Sequence, residues 1–260
     1  MSVFLTAEWR KLMMVQYAID PGILAPYLPH GVELDLFRDS ANPAEPARCF
    51  VSLVGFLFDR VRVKGIAFPL HTRFPEVNLR FYVKRTETLP SGQIELRRGV
   101  VFVNEFVPTR NLAVAVIAKQ LYEEPYRALP MRRNISSTAE SLDVSYGWRT
   151  GRRWHTMFAA ADPTPHPIAP ASVEEFITEH YWGYTRRTTR KPAGRTSAYQ
   201  VEHPRWQVYP IHDWKLDLDY ARMYGPQWEF LTDTWADNVL LAEGSAVKIY
   251  TGSDLPLSAA

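Results

Sequence analysis

Residues 49–58, Cys-Phe-Val-Ser-Leu-Val-Gly-Phe-Leu-Phe, are apolar throughout except at Ser52 and Gly55. A strand that is apolar on both faces must lie inside a sheet and be covered on both sides. With 260 residues the chain is long enough to supply that cover. Eight Trp, 13 Tyr and 13 Phe in a 46% apolar composition belong to a folded globular protein rather than a disordered one. Residues 1–260 are expected to form a single domain.

The next extended segment, Phe74 to Val83, alternates. Val77, Leu79, Phe81 and Val83 share one face, while Glu76, Asn78, Arg80 and Tyr82 share the other. Such a polar row is either solvated sheet surface or the wall of a cavity. Asn between Glu and Arg forms strands poorly, and a poor strand former inside a strand usually has a specific partner.

Around these two strands the chain reads as mostly strand. Asp20-Pro21 starts a short helix ending near Pro29-His30-Gly31, and Val32 to Phe37 alternates as a strand. Pro90-Ser91-Gly92 turns the chain into a partner strand from Gln93 to Asn104. Thr109 is the expected N-cap of the one long helix, with an apolar stripe including Leu112, Ala115 and Val116 and an end at Pro125. Thr138 to Trp148 and Arg152 to Phe158 form a second hairpin, and Ser172 with Glu175 makes a capping box. Further strands are expected near Tyr181 to Arg187, Ser197 to Glu202, Val208 to His212 and Ser245 to Tyr250. This pattern predicts an α+β fold on a large antiparallel sheet that curls or closes, not a doubly wound parallel sheet.

Composition narrows the function classes. The single Cys49 excludes an internal disulfide and points to a cytoplasmic setting. No stretch approaches the ~20 apolar residues of a membrane span, so no membrane partner is expected. The net charge of +2 predicts no strongly charged partner. Arg186-Arg187, Arg190-Lys191 and Arg195 lie near Trp182 and Tyr184, but such a local run reads as a solvated loop, and nucleic-acid binding is not expected. No Gly-rich phosphate loop, HExxH, GxSxG or paired CxxC is present. The seven histidines lack metal-ligand spacing, so neither metal nor cofactor is expected.

Several landmarks then fall in a familiar order: Trp9-Arg10, Leu28-Pro29-His30-Gly31, Phe74 to Arg80, Glu124-Pro125-Tyr126, Phe176 to Tyr181, and Val201-Glu202-His203-Pro204. Over nearly the whole chain these resemble the YqjF-like family of bacterial proteins, grouped with the acetoacetate decarboxylase-like superfamily. The resemblance implies a cone-like β-barrel with flanking helices around a ligand cavity. In the superfamily's namesake a lysine forms an imine with a β-keto acid. Here Tyr126 stands at that lysine and Arg127 at its neighbour, and a phenol cannot form an imine. Lys84 and Lys119 read better as a solvated strand end and a snorkelling helix residue than as substitutes.

The expectation is therefore a cavity for a small organic acid or carbonyl compound. Arg80 would clamp the anion, Asn78, Tyr82 and His203 would line the substrate site, and Glu76 with Tyr126 would carry any catalysis. If the site is catalytic, the class implied is a lyase or hydrolase without a lysine imine. The competing reading is a non-catalytic small-molecule binder. A homo-oligomer is compatible with either.

Overall fold

The computed structural model describes residues 2–187 and 194–255. Strand β1 (Val3–Ala18) is followed by 3-10 turns at Pro21–Ile23 and Ala25–Tyr27, by β2 (Glu33–Leu34), and by the long strands β3 (Phe50–Val63), β4 (Phe74–Thr88) and β5 (Ile94–Pro108). Helix α1 (Leu112–Tyr122) leads into β6 (Tyr126–Leu129), and β7 (Met131–Ser137), β8 (Leu142–Thr150) and β9 (Arg153–Ala161) form a meander. Then come β10 (His166–Pro167), α2 (Val173–Thr178), β11 (Trp182–Arg186), β12 (Thr196–Glu202), β13 (Gln207–Tyr209) and β14 (Ile211–Asp217). The chain closes with α3 (Tyr220–Tyr224), β15 (Asn238–Tyr250) and β16 (Ser253–Asp254).

The large sheet runs β15-β1-β3-β4-β5-β11-β12, and β12 pairs back to β15, so seven strands close into a ring. Closure leaves these strands without the unpaired edges of an open sheet. The ring is mixed rather than wholly antiparallel, because β11 runs parallel to β5, as β6 does on β5. Its closing contacts are short: β5 meets β11 at Trp182↔Gly99 and Gly183↔Val100, and β12 meets β15 at Val201↔Ile249 and Glu202↔Lys248.

A second, four-stranded sheet, β14-β9-β8-β7, packs against the ring. The alternation of β4 decides what lies on each side. Val77, Leu79, Phe81 and Val83 join Tyr146, Trp148 and Met157 in the core shared with the second sheet. Phe74 and Tyr82 join Phe50, Phe56 and Phe176 in the other core. The apolar run of β3 is buried from Phe50 through Phe58, as a strand covered on both faces must be. Gly55 interrupts it because a Cβ there would stand 2.5 Å from Met157 Sδ.

Some local expectations change. The helix expected after Asp20 is two 3-10 turns, since Pro21 and Pro26 supply no N–H for an α-helical ladder. The strand expected from Val32 to Phe37 reduces to β2 and an isolated bridge at Phe37. Thr109 opens a 3-10 turn rather than capping α1. Asn111 stands at the cap position, but its amide donates to Leu70 O and lies 2.9 Å from His71 Nδ1. The stripe of α1 is also different: Ala115 is buried, while Leu112 and Val116 are 56% and 44% exposed. Residues 112–118 are apolar without a break, so no period singles out an inner face. Ser172 caps α2 as expected through a bond from Glu175 N, while Glu175 reaches back to Ala171 N. The strand expected from Val208 to His212 divides into β13 and the start of β14, which runs on to Asp217, and helix α3 was not expected.

Candidate functional site

The ring and α1 enclose a cavity of about 390 Å³ whose walls are mainly apolar, with Trp9, Val54, Phe56, Phe74, Phe102 and Trp206 among them. Its polar members come from strands whose sequences explain their placement. Glu76, Asn78 and Arg80 line it from one face of β4. Asn78 pairs with Glu105 on β5, and Glu105 with Tyr126 on β6, so the three form one row across adjacent strands. Cross-strand neighbours of this kind hold their Cβ atoms ~5 Å apart.

Glu76 is the centre of the row's hydrogen bonding. Asn78 Nδ2 donates to its Oε1 at 3.2 Å and the Tyr126 phenol to its Oε2 at 3.0 Å. Glu124, in the turn between α1 and β6, accepts from the Tyr199 phenol at 2.6 Å. Tyr199 crosses to it over Gly183, where a Cβ would meet its ring at 2.2 Å. Glu76, Glu105 and Glu124 are 2%, 1% and 4% exposed. Burial pushes Glu76 up to about 7 and Glu124 to about 8, and burial together with its two acidic neighbours pushes Glu105 well above the usual carboxylate range. The same burial raises the Tyr126 phenol.

Arg80 borders the cavity half-buried, its guanidinium 5.7 Å from the centre of the Tyr82 ring. Its Nε is buried without a hydrogen-bond partner, and among the described residues no carboxylate reaches ion-pair distance of it. His203 also lines the cavity, stacked on Trp206 at 4.3 Å, with Nδ1–H donating to Pro204 O. Tyr82 shares the face of Glu76 but does not border the cavity. Its hydroxyl donates to Ser52 Oγ at 2.8 Å and its ring packs on Phe176 and His180, a structural position that corrects the substrate-lining role expected for it.

Three cavity residues escaped the sequence reading. Glu105 lies inside a strand read only as a partner, and Glu124 was noticed only as a landmark. His180 lines the cavity with its Nε2 3.1 Å from Asp35 Oδ2, which also accepts from Arg98 Nε at 2.6 Å. Burial lowers His180 to about 4, so it is neutral near pH 7, donating Nε2–H to Asp35 and leaving Nδ1 as an acceptor without a partner. The signal that could have found the acids is register: Glu105 becomes visible once the hairpin is aligned residue by residue.

Among the described residues no lysine lines the cavity, and no cluster of three His, Cys, Asp or Glu could hold a metal ion. Lys119 is exposed on α1 and Lys84 lies near Glu33. No helix of the described residues is long and apolar enough to cross a membrane. Of the basic run, Arg190 and Lys191 lie outside the described residues, and Arg187 pairs with Asp254 at 2.6 Å.

The profile of the DUF2071 family, described as an uncharacterized conserved protein, matches residues 6–246. No curated protein matches the chain. Among solved structures, the enduracididine biosynthesis enzyme MppR, complexed with the condensation product of pyruvate and imidazole 4-carboxaldehyde, is similar at a TM-score of 0.60 and 12% identity, over 98% of this chain and 90% of that one. An acetoacetate decarboxylase-like enzyme from Sphingomonas wittichii RW1 is similar at 0.60 and 11%, over 98% and 94%. An acetoacetate decarboxylase is similar at 0.57 and 10%, over 98% and 90%. At these identities the likeness shows a shared acetoacetate decarboxylase-like fold.

Proposed function

Because this chain belongs to the DUF2071 family of uncharacterized conserved proteins and has an acetoacetate decarboxylase-like fold, we propose that its cavity binds a small organic acid or carbonyl compound. The observation that carries this reading is Arg80: a half-buried guanidinium on the cavity wall with no carboxylate of its own. Among the described residues its Nη2 donates only to the weak acceptor Met14 Sδ, at 3.8 Å, and its Nε to nothing; a charged group so poorly paired is costly to bury, and a ligand carboxylate satisfies it. The core shared by both sheets supports reading the chain as one domain.

Glu76 is the group to move a proton. Raised to about 7, it is split between its two forms near neutral pH, where a general acid or base works best. Tyr126 and Asn78 hold its two oxygens and orient it. With no lysine among the described residues of the wall, a reaction here is a lyase or hydrolase step without an imine. A purely binding role for the same cavity is the second reading, favoured by the mainly apolar walls. The buried, free Cys49 suits a reducing, cytoplasmic setting.

The test is a thermal-shift titration of wild type and Arg80→Gln with butyrate, valerate and caproate. Ligands that favour the folded state raise the wild-type Tm, and losing the charged contact weakens binding about tenfold to a hundredfold. A series that leaves the wild type unmoved, or binds Arg80→Gln equally well, refutes the reading.

A further inference from the structure

The cavity is matched to only half of an organic acid. Among the described residues Arg80 lacks a carboxylate, with Met14 Sδ its weak acceptor, while Glu76, Glu105 and Glu124 lack a paired cation. Among the described residues no Lys, Arg or His makes an ion pair with any of the three, and the one cation that acts on the cluster, weakly and through Glu76, is Arg80. Their hydrogen bonds come from neutral groups: Asn78 and Tyr126 on Glu76, Tyr199 on Glu124, and, for Glu105, Tyr126 and a carboxyl-to-carboxyl bond shared with Glu76.

Two acceptors remain open. Glu105 Oε1 has no partner, and neither has Asn78 Oδ1, on a side chain that is 2% exposed and already turned toward Glu76 by its own Nδ2. Three carboxyls brought together from β4, β5 and the turn before β6 cannot ionise together in apolar surroundings unless a positive charge joins them. An ammonium brings one charge and three donors.

We propose that the ligand carries a basic nitrogen, bound as a cation among Glu76, Glu105 and Glu124, in addition to the acid group held by Arg80. The ligand class is thus an amino acid or amino-carbonyl compound with its two charges well separated, since Glu76 and Arg80 stand four residues apart on β4, roughly 13 Å at ~3.3 Å per residue. This deepens the acid-binding reading and rests on it.

The binding is linked to protons. Near neutral pH burial keeps the cluster largely protonated, so seating a cation releases protons, and affinity for an amine rises with pH until the cluster has ionised. A free alkylammonium stays charged to about pH 10 and does not oppose this trend. The other titratable groups lining the cavity are Tyr126, raised by burial, Tyr199, which donates to Glu124, His180 and His203, both lowered by burial, and His71, whose Nδ1 lies 2.9 Å from Asn111 Nδ2; none of them gains positive charge as pH rises, so none opposes the trend.

The experiment is isothermal titration of the wild type with γ-aminobutyrate, δ-aminovalerate and ε-aminocaproate against butyrate, valerate and caproate. Each titration is run in two buffers of different ionisation enthalpy at about pH 6 and about pH 8.5. The expected result is that the best amino acid binds at least about tenfold tighter than its matched carboxylate at the higher pH, with protons released to the buffer, and that the gap narrows at the lower pH. Glu105→Gln and Glu124→Gln, checked for folding by circular dichroism, shrink the gap to within about threefold. If the carboxylates bind and the amino acids bind no tighter, or bind without proton release, the cation site is refuted and the acid site stands. If neither series binds, both are refuted.

Discussion

The Tyr126 phenol donates to Glu76 Oε2 across 3.0 Å. Tyr126 thus serves as a hydrogen-bond donor to the cavity carboxylate. It stabilises the ionised form of Glu76, against burial, which favours the protonated form.

Tyr126→Phe therefore raises Glu76 above about 7. A hydrogen bond of ~1 kcal/mol corresponds to somewhat under one pH unit. Carbon-13 titration of the glutamate side-chain carboxyls reads the shift directly. A Glu76 midpoint that stays in place or falls would show that the phenol does not hold its charge.

Stability should fall with rising pH between about 6.5 and 8.5. The carboxyls of Glu76 and Glu124 titrate at about 7 and about 8 when folded, against 4.5 otherwise, and Glu105 is raised too. A raised group contributes stability that is complete below its unfolded value and is lost as pH rises through its folded value. His180, lowered to about 4, has the opposite slope, lost as pH falls from 6.5 toward 4, so the two effects overlap only in acid. Melting temperature against pH checks this. Glu105→Gln should flatten the slope above about pH 6.5, and an unchanged slope would count against the acid cluster.

Gly183→Ala should disturb the site through packing alone. Its backbone is not in the left-handed region, but a Cβ would lie 2.2 Å from Tyr199 Cζ. Tyr199 must then move, and Glu124 loses its 2.6 Å donor. Overpacking of this kind costs about 1–3 kcal/mol in denaturant unfolding. It should also raise Glu124 above about 8, because the Tyr199 bond is what lowers it. A fully stable variant would show that the hairpin gives way more easily than its packing suggests.

How much of this could be read in the sequence depended on the range of the forces involved. Strand sidedness is local: Phe74 to Val83 announced its two faces, and Cys49 to Phe58 its double cover. Glu76, Asn78 and Arg80 came with that pattern because they share one strand. Tyr82 did not, since parity assigns a face but not which of its residues reach a cavity, and Phe176 and His180 take up its ring. Glu105 and Glu124 meet Glu76 only through strand register and a turn, and Asp35 meets His180 across 145 residues of chain. The outward apolar residues of α1 were hidden for another reason: a helix segment apolar at every position carries no period to read.

The ring's wall is uneven in strength. Strands β1, β3, β4 and β5 are laced to one another along most of their length, but the β11–β12 hairpin is stitched to its ring neighbours by two residue pairs on each side. That hairpin carries Trp182, Gly183, Tyr199 and Val201, all on the cavity wall. Among the described residues these are the two most sparsely paired seams of the ring, and the panel between them carries the Tyr199 phenol that donates to Glu124. Part of the cavity wall and the donor that lowers Glu124 therefore hang on the same lightly fastened panel of chain.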